Sequence, residues 1–570
     1  MAKKKQIVEC VPNFSEGRDM NVIKQITSEI EKTSGVKLLD VDPGEATNRT
    51  VVTFVGEPEA VVDAAFRAVA KAGELIDMRK HHGAHPRIGA TDVLPIVPVS
   101  GITLEECAEL AQKLAERIAS ELQIPTYCYE AAARTPKRRN LAVVRRGEYE
   151  GIAERIMDEN EKPDFGARPY DEKVARTGCT VVGARDFLIA VNFNLNSTST
   201  RRANAIAFDV REKGRPVREG NPITGKKKLD ENGKVVMQPG TLKGTKAIGW
   251  FIDEYGIAQV SMNITNINET PLHKAFDEVC RCAQNRGLRV TGTEIVGLIP
   301  ECALLDAGKY FLAKQKRSAG IPKEDILKIA IKSMGLEDLR PFNPEEKVIE
   351  YLLAAGEKGG NKLVDLTVKG FAEETSRESP APGGGSVSAY MGALGASLAT
   401  MVANLSSHKP GWDERWSEFA QWAERGMELQ EELLHLVDED TEAFNRIMAA
   451  FGMPKNTDEE KQLRTDAIQA ATLFATEVPL ETMKTSYKVF EVCRQMVTTG
   501  NPNSVSDAGV GALAARAAVI GAGMNVKINA ASLKDREKAE ALIAEADALV
   551  EKANAEEKEI TQTVEEMIRK

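Results

Sequence analysis

The sequence contains no CxxC pair. Its eight cysteines are scattered over 570 residues, and only Cys280 and Cys282 stand close together. This argues against a disulfide framework or a cysteine zinc site and leaves reduced, buried thiols in a cytoplasmic protein as the expectation. The basic start MAKKKQIVECV has no apolar stretch behind it and does not read as a secretory signal. A cationic excess is also missing, since 75 Lys and Arg stand against 85 Asp and Glu for a net charge of −10. Nucleic-acid binding, which neutralises phosphate with Lys and Arg, is therefore not expected. The uncharged run Val387–Leu405 is built from Gly, Ala and Ser with few large apolar residues. Such a run suits a buried bundle helix, where small residues let neighbours approach, and no membrane span is expected. Histidine is scarce, with six in the whole chain.

What is present is enough apolar material, 42%, for several cores. The length suggests roughly three to four compact units. Over the first part of the chain, Gln6–Val11, Val36–Val41, Thr50–Val55, Asp92–Pro98 and Thr126–Tyr129 read as strands, and Glu59–Ile76 and Leu104–Leu122 as helices. The pattern then restarts: Cys179–Asn194 is a strand-like run, Thr200–Glu212 a helix, Ala247–Asp253 and Ala258–Ile264 a hairpin, Pro271–Asn285 a helix and Arg289–Val296 a strand. Between Arg211 and Lys246 lies a polar stretch containing GKKKLDENGK. It is either a solvated loop or a basic wall beside an acidic ligand. After a Pro-rich and Gly-rich stretch, helical segments dominate at 387–405, 413–452, 458–499, 507–528 and 532–569. The expected fold is multidomain. Two tandem α+β subdomains in a βαβ-type sandwich form the N-terminal half, and an all-α helical bundle forms the C-terminal half. The boundaries are 1–180 and 181–335 for the two subdomains, 336–363 for a linker, and 364–570 for the bundle.

Three features carry chemistry. Three of the six histidines fall in the loop His81-His82-Gly83-Ala84-His85-Pro86-Arg87. Gly83 and Pro86 break any helix that would align them, and the loop holds no carboxylate or thiol, so no metal is expected. Imidazole titrates near neutrality, so a loop histidine here suits acid–base work, while an exposed cluster without function stays open as a reading. The second feature, Ser379-Pro380-Ala381-Pro382-Gly383-Gly384-Gly385-Ser386, precedes a helix. It is either an anion-binding helix start or a plain turn, and it is not a nucleotide-binding loop, because no Lys-Ser or Lys-Thr follows. The third is the helix Leu429–Phe451, where Leu429, Leu433, Leu436, Val437, Phe444, Ile447 and Phe451 share one face with Asp440 in its middle. A carboxylate in an apolar stripe is a proton carrier of raised pKa or a structural cap. Asp438 points to the opposite face.

These pieces resemble a known family. VECVPNFSEGR (8–18), LLDVDPGEATNRTVVTFVGEP (38–58), HGAHPRIGATDVLPIVPV (82–99), GARDFLIAVNFNL (183–195) and IGWFIDEYGIAQVSMNI (248–264) are similar to glutamate formimidoyltransferase. SPAPGGGSVSAYMGALGASLATMV (379–402) and LVDEDTEAF (436–444) are similar to formimidoyltetrahydrofolate cyclodeaminase. Their order is that of the fused, bifunctional enzymes of histidine breakdown. The resemblance implies that His85 is the catalytic histidine of the transferase half and that Asp440 carries the proton in the cyclodeaminase half. It carries substrate and folate contacts onto Gly166, Ala167, Arg168, Thr177, Gly178 and Gly240, and onto Gly383, Gly384, Gly385 and Ser386. The basic stretch 213–238 reads as an insertion.

The implied reaction passes the formimino group of formiminoglutamate to N5 of tetrahydrofolate. N10 then attacks the same carbon and ammonia leaves. Tetrahydrofolate, in polyglutamylated form, is the implied co-substrate, with no metal and no nucleotide. The implied assembly is a homo-oligomer through both halves, as dimers or a ring of dimers. Two other readings stand beside this one: methenyltetrahydrofolate cyclohydrolase activity in the helical half, and a non-catalytic folate-binding scaffold.

Overall fold

The computed structural model describes residues 6–45, 48–83, 86–221, 224–356, 362–379 and 381–569. The chain divides into two compact units. The first joins Met1–Asp306 with Met334–Glu357, and the second joins Ala307–Ser333 with Lys358–Lys570.

The first unit holds two main sheets. Strands Ile7–Cys10 (β1), Asn13–Phe14 (β2), Val36–Gly44 (β3), Arg49–Gly56 (β4), Thr91–Ser100 (β5), Thr126–Glu130 (β6) and Thr180–Ala184 (β7) form a seven-stranded sheet in the order β1-β4-β2-β5-β7-β6. β3 adds to β4, and β1 pairs with β5 as well as β4. Side chains alternate across a strand. Val8, Cys10, Val52, Phe54, Leu94 and Ile96 accordingly point to one face and join a single core with helices Pro58–Leu75 and Leu104–Arg117. The second helix begins with a capping box between Thr103 and Glu106, the start its sequence signals. The opposite, odd-numbered face is left for the site described below.

The strand-like run Cys179–Asn194 is two strands in different sheets. The charged pair Arg185-Asp186 interrupts it: β7 ends at Ala184 in the first sheet, and Ile189–Leu195 (β8) opens the second. Arg215–Pro216 (β9) and Met237–Gln238 (β10) pair in a small ribbon within the polar stretch 211–246. Lys226, Lys227 and Lys228 of this stretch are exposed and are absent from the lining of the cavities described below, whereas Lys246 at its end lines the cleft. Thr245–Ile252 (β11), Ile257–Ile264 (β12) and Val290–Val296 (β13) complete an antiparallel sheet in the order β11-β12-β8-β13. The expected hairpin is β11–β12. Helices Thr200–Val210 and Leu272–Gln284 cover one face of this sheet. The stretch read as a linker is packed into the same unit at Phe342, Val348 and Ile349, all buried, and Val348 bridges to Ile299.

The second unit is a bundle of helices Gly384–Ser407, Trp416–Phe451, Asp458–Thr499, Val505–Ala530 and Arg536–Ile568. Two of its segments, Gly384–Ser407 and Pro502–Ala530, are long and apolar enough to cross a membrane, and both contribute many buried residues to the bundle core. Glycine makes the close crossings: a Cβ on Gly395 would lie 2.8 Å from the Gly511 carbonyl. Pro479 stands inside the helix Asp458–Thr499, where it cannot donate to the carbonyl four residues earlier. That carbonyl, of Ala475, instead accepts from Asn529 Nδ2 at 2.6 Å.

Candidate functional site

In the first unit a cleft of about 1420 Å³ opens on the odd-numbered face of the first sheet. Glu9, Arg49, Val51, Thr53, Val93 and Pro95 line it from that sheet, and Ala190, Lys246, Asn263 and Glu294 line it from the second. Arg139, Arg145 and Arg185 add positive charge. Arg145 is fixed by an ion pair with Asp92, which is 1% exposed and also accepts from the Ile88 N–H at 3.0 Å. Glu9 is 5% exposed at the centre of the sheet, and among the described residues no cation forms an ion pair with it. Burial pushes its carboxyl up to about 7, with Arg185 opposing and Glu350 adding to the shift. Glu294 is held by Asn192 Nδ2 at 3.0 Å and Gln259 Nε2 at 3.3 Å, part of a buried amide network on β8 and β12.

The histidine loop follows the short helical turn Met78–Lys80 and precedes β5. Ala84 and His85 lie outside the described residues; their flanks are firmly tied. His81 is buried, its Nε2 stands 2.8 Å from the Asn48 carbonyl, and its Nδ1 accepts from Arg87 Nε at 3.3 Å. Those partners fix a neutral imidazole with the proton on Nε2, and burial lowers its pKa accordingly. Both ring nitrogens are thus used, and among the described residues no group of three His, Cys, Asp or Glu is placed to hold a metal. Arg87 donates two hydrogen bonds to Glu150, at 2.8 and 2.9 Å. Asn48 Nδ2 donates to the His82 carbonyl at 3.0 Å, and His82 borders a small polar pocket with Arg87, Glu148 and Glu150.

The residues expected from the resemblance as folate contacts lie elsewhere than on the walls of this cleft. Gly166, Ala167, Arg168, Thr177, Gly178 and Gly240 are absent from the lining of the cleft. Arg168 pairs with Asp171. Thr177 and Gly178 buttress the loop's exit: the Thr177 carbonyl accepts from Ala90 N at 2.7 Å, and a Cβ on Gly178 would strike the Ile88 carbonyl at 2.2 Å. Gly240 is just as tight, because its Cβ would lie 2.1 Å from the Arg211 carbonyl. These glycines serve close backbone approach. Sequence reasoning missed Glu9, Arg49, Arg145 and Arg185. Glu9 had a signal, a carboxylate inside the apolar strand run Ile7–Val11.

In the second unit Asp440 meets the glycine loop. Its Oδ2 accepts from the Ser386 N–H at 2.8 Å and from Ser386 Oγ at 2.9 Å. Ser386 stands in the first turn of the helix Gly384–Ser407, where N–H groups have no helical acceptor and favour an anion. The anion at this helix start is therefore the protein's own carboxylate. A Cβ on Gly385 would lie 2.1 Å from Asp440 Oδ1, so a larger residue there displaces the carboxylate. Gly383 caps the helix, and Gly384 faces the Asn525 side chain. Burial raises the Asp440 pKa, and the two bonds from Ser386 only partly oppose it. The apolar face around Asp440 is narrower than expected: Leu429, Leu433, Leu436 and Val437 are buried, but Phe451 is exposed. Asp438 is not free on the opposite face, because its Oδ1 accepts from the Leu363 N–H at 2.7 Å.

Comparison with known proteins matches three family models along the chain. They are the formiminotransferase domain, N-terminal subdomain, at residues 7–185, the formiminotransferase domain at 190–354, and formiminotransferase-cyclodeaminase at 367–548. The formimidoyltransferase-cyclodeaminase of Mus musculus is 41% identical over 531 residues, 93% of each chain. The chain belongs to the formimidoyltransferase-cyclodeaminase family. Each half also has relatives of its own. A glutamate formimidoyltransferase of Streptococcus pyogenes is 41% identical over 308 residues, 54% of this chain and 93% of the relative. A methenyltetrahydrofolate cyclohydrolase of Methylorubrum extorquens is 38% identical over 209 residues, 37% of this chain and 99% of the relative. The charged cleft therefore lies in the formiminotransferase part of this formimidoyltransferase-cyclodeaminase, and the Asp440 site in its cyclodeaminase part.

Proposed function

We propose that the protein transfers the formimino group of N-formimino-L-glutamate to tetrahydrofolate, then closes 5-formiminotetrahydrofolate to 5,10-methenyltetrahydrofolate with loss of ammonia. The observation that carries this is the end-to-end match to a bifunctional relative, 93% of both chains. Both substrates are carboxylates, and Arg49, Arg139, Arg145, Arg185, Lys246, Arg340 and Lys347 supply the cations of the cleft. In the first step N5 attacks the formimino carbon, loses a proton, and the departing glutamate nitrogen gains one. His85 is the residue we assign to both transfers. In the second step N10 attacks and ammonia leaves. Asp440 keeps its proton to a higher pH than a solvated carboxyl and delivers it to the leaving nitrogen.

Finer features belong to the same proposal. The tetrahydrofolate is polyglutamylated, which suits a cleft rich in arginine. The assembly is a cytoplasmic homo-oligomer. Exposed Leu394, Met401 and Leu405 on one bundle helix and Val510, Leu513 and Ile528 on its neighbour support association through the helical half. The intact protein, given formiminoglutamate and tetrahydrofolate, is expected to release ammonia and to yield 5,10-methenyltetrahydrofolate by mass spectrometry. Absence of both products overturns the proposal. A second reading, hydrolysis of the methenyl ring by the helical half, is favoured by its match to the cyclohydrolase over 209 residues. It predicts consumption of supplied methenyltetrahydrofolate with no ammonia released.

A further inference from the structure

Formiminoglutamate carries a formamidine, which is a cation at neutral pH. Its planar amidinium has N–H donors on two nitrogens and no acceptor. A carboxylate matches it as it matches a guanidinium, through two parallel charge-assisted bonds. A protein that selects this donor over neutral acyl-glutamates needs one carboxylate at the reacting end, apart from the cations that take the substrate's own carboxylates.

We infer that Glu9 is that receptor: it binds the amidinium of the formimino donor on the floor of the cleft and so sets donor specificity. The inference rests on the transferase reading above and goes beyond it by assigning a residue to the donor's cationic group. Three observations carry it. Glu9 lines the cleft from the middle of the sheet, with its backbone paired to Val55 on one side and Val97 on the other, so the carboxylate is rigidly placed. It is nearly fully buried, yet the described residues offer it no ion pair within 4.0 Å, a costly arrangement that a cationic ligand would relieve. Arg185 lines the same cleft and opposes the rise in the Glu9 pKa, so a cation and a carboxylate face one volume where the donor would present the reverse pair. The competing acid Glu294 is already engaged by Asn192 and Gln259, and the other acids of the lining, Asp40, Asp42, Glu105, Glu130, Asp186 and Glu269, are all more exposed.

The test is steady-state transfer by the full-length protein. The unaltered protein must first transfer the formimino group; if it does not, the transferase reading fails and this inference falls with it. Given activity, Glu9→Gln should raise KM for formiminoglutamate by about tenfold or more, while KM for tetrahydrofolate stays within about twofold and Glu9→Asp recovers part of the loss. A KM for formiminoglutamate within about twofold of the unaltered protein overturns the inference, as does an equal rise in both KM values or a fall in kcat alone. A second measurement needs no variant. N-formylglutamate has the same shape but a neutral oxygen in place of the cationic nitrogen. It should compete with formiminoglutamate about tenfold or more weakly than the donor's own affinity, because that oxygen faces a carboxylate. Competition at comparable concentration overturns the inference even if Glu9→Gln does not fold.

Discussion

The two candidate sites are built on opposite architectures. The cleft gathers Glu9, Arg49, Arg145, Arg185 and Lys246 from five distant parts of the chain around a large open volume. The Asp440 site is made by two helices, one carboxylate and the two bonds from Ser386. In the cleft, charge is shared among several groups, so any one of them should be replaceable at the expense of binding. At Asp440 a single titrating group has no substitute within the contact. The difference teaches that loss of one residue should be graded in the first site and nearly complete in the second.

The largest effect is therefore expected at Asp440. Asp440→Asn keeps the shape and can still accept from Ser386, but it has no proton to give. Ammonia release from supplied 5-formiminotetrahydrofolate should fall about 10²- to 10⁴-fold, with formimino transfer unchanged. A folded variant that releases ammonia at the normal rate removes Asp440 from the mechanism. Gly385→Ala comes next. Its Cβ would occupy the place of Asp440 Oδ1, at 2.1 Å, so the carboxylate has to move. Restoring ordinary contact takes a shift of about 1 Å, which typically costs about 10²-fold in rate, and transfer should again be spared. Equal damage to both activities would mean that the substitution disturbs the whole protein and not this contact.

How far the sequence revealed each site follows from the same contrast. Asp440 was legible because helical periodicity puts a lone carboxylate among Leu433, Leu436 and Val437, and a glycine run before an uncharged helix marks an exposed helix start. Their meeting, 54 residues apart, is a tertiary fact that periodicity does not contain. The bundle helices and most strands were legible for the same local reasons. The cleft was not, because its residues are joined only by strand order and alternation. Glu9, between Val8 and Cys10, reads as part of an apolar run, and which face it takes depends on the pairing of β1 with β4 and β5. Of the glycines expected as ligand contacts, Gly178 and Gly240 press against carbonyls and Gly166 lies against Ala119, packing that only the tertiary fold reveals. The sheet change at Arg185-Asp186 was hidden because strands flank it on both sides.

A smaller effect, on stability, sharpens the comparison from the other side. Burial raises the Glu9 carboxyl from 4.5 to about 7, so the folded protein holds this proton more tightly than the unfolded chain. The resulting penalty is absent below the unfolded pKa, grows as pH rises toward about 7 and is complete above it. Its ceiling is on the order of 3 kcal/mol. Glu9→Gln removes the titration, so it should melt a few degrees above the unaltered protein at about pH 8 and level with it at about pH 4. The same melting difference at both pH values would show that Glu9 is not carrying a buried charge.

The smallest effect belongs to Asp438, two residues before Asp440 on the same helix. Its Oδ1 accepts from the Leu363 N–H at 2.7 Å, where the chain enters the short turn Leu363–Asp365. No proton transfer is asked of it, and neutral Asn presents the same acceptor in the same place. Asp438→Asn should leave both activities unchanged and alter stability by less than about 0.5 kcal/mol. Asp438→Ala removes the acceptor and leaves the Leu363 N–H to water, so it should cost about 1 kcal/mol in thermal unfolding with ammonia release intact. The pair of variants separates a structural aspartate from a chemical one on a single helix: the first should track hydrogen bonding, the second titration. If Asp438→Asn abolishes ammonia release in a folded protein, the two carboxylates act together and the compact site has a second member.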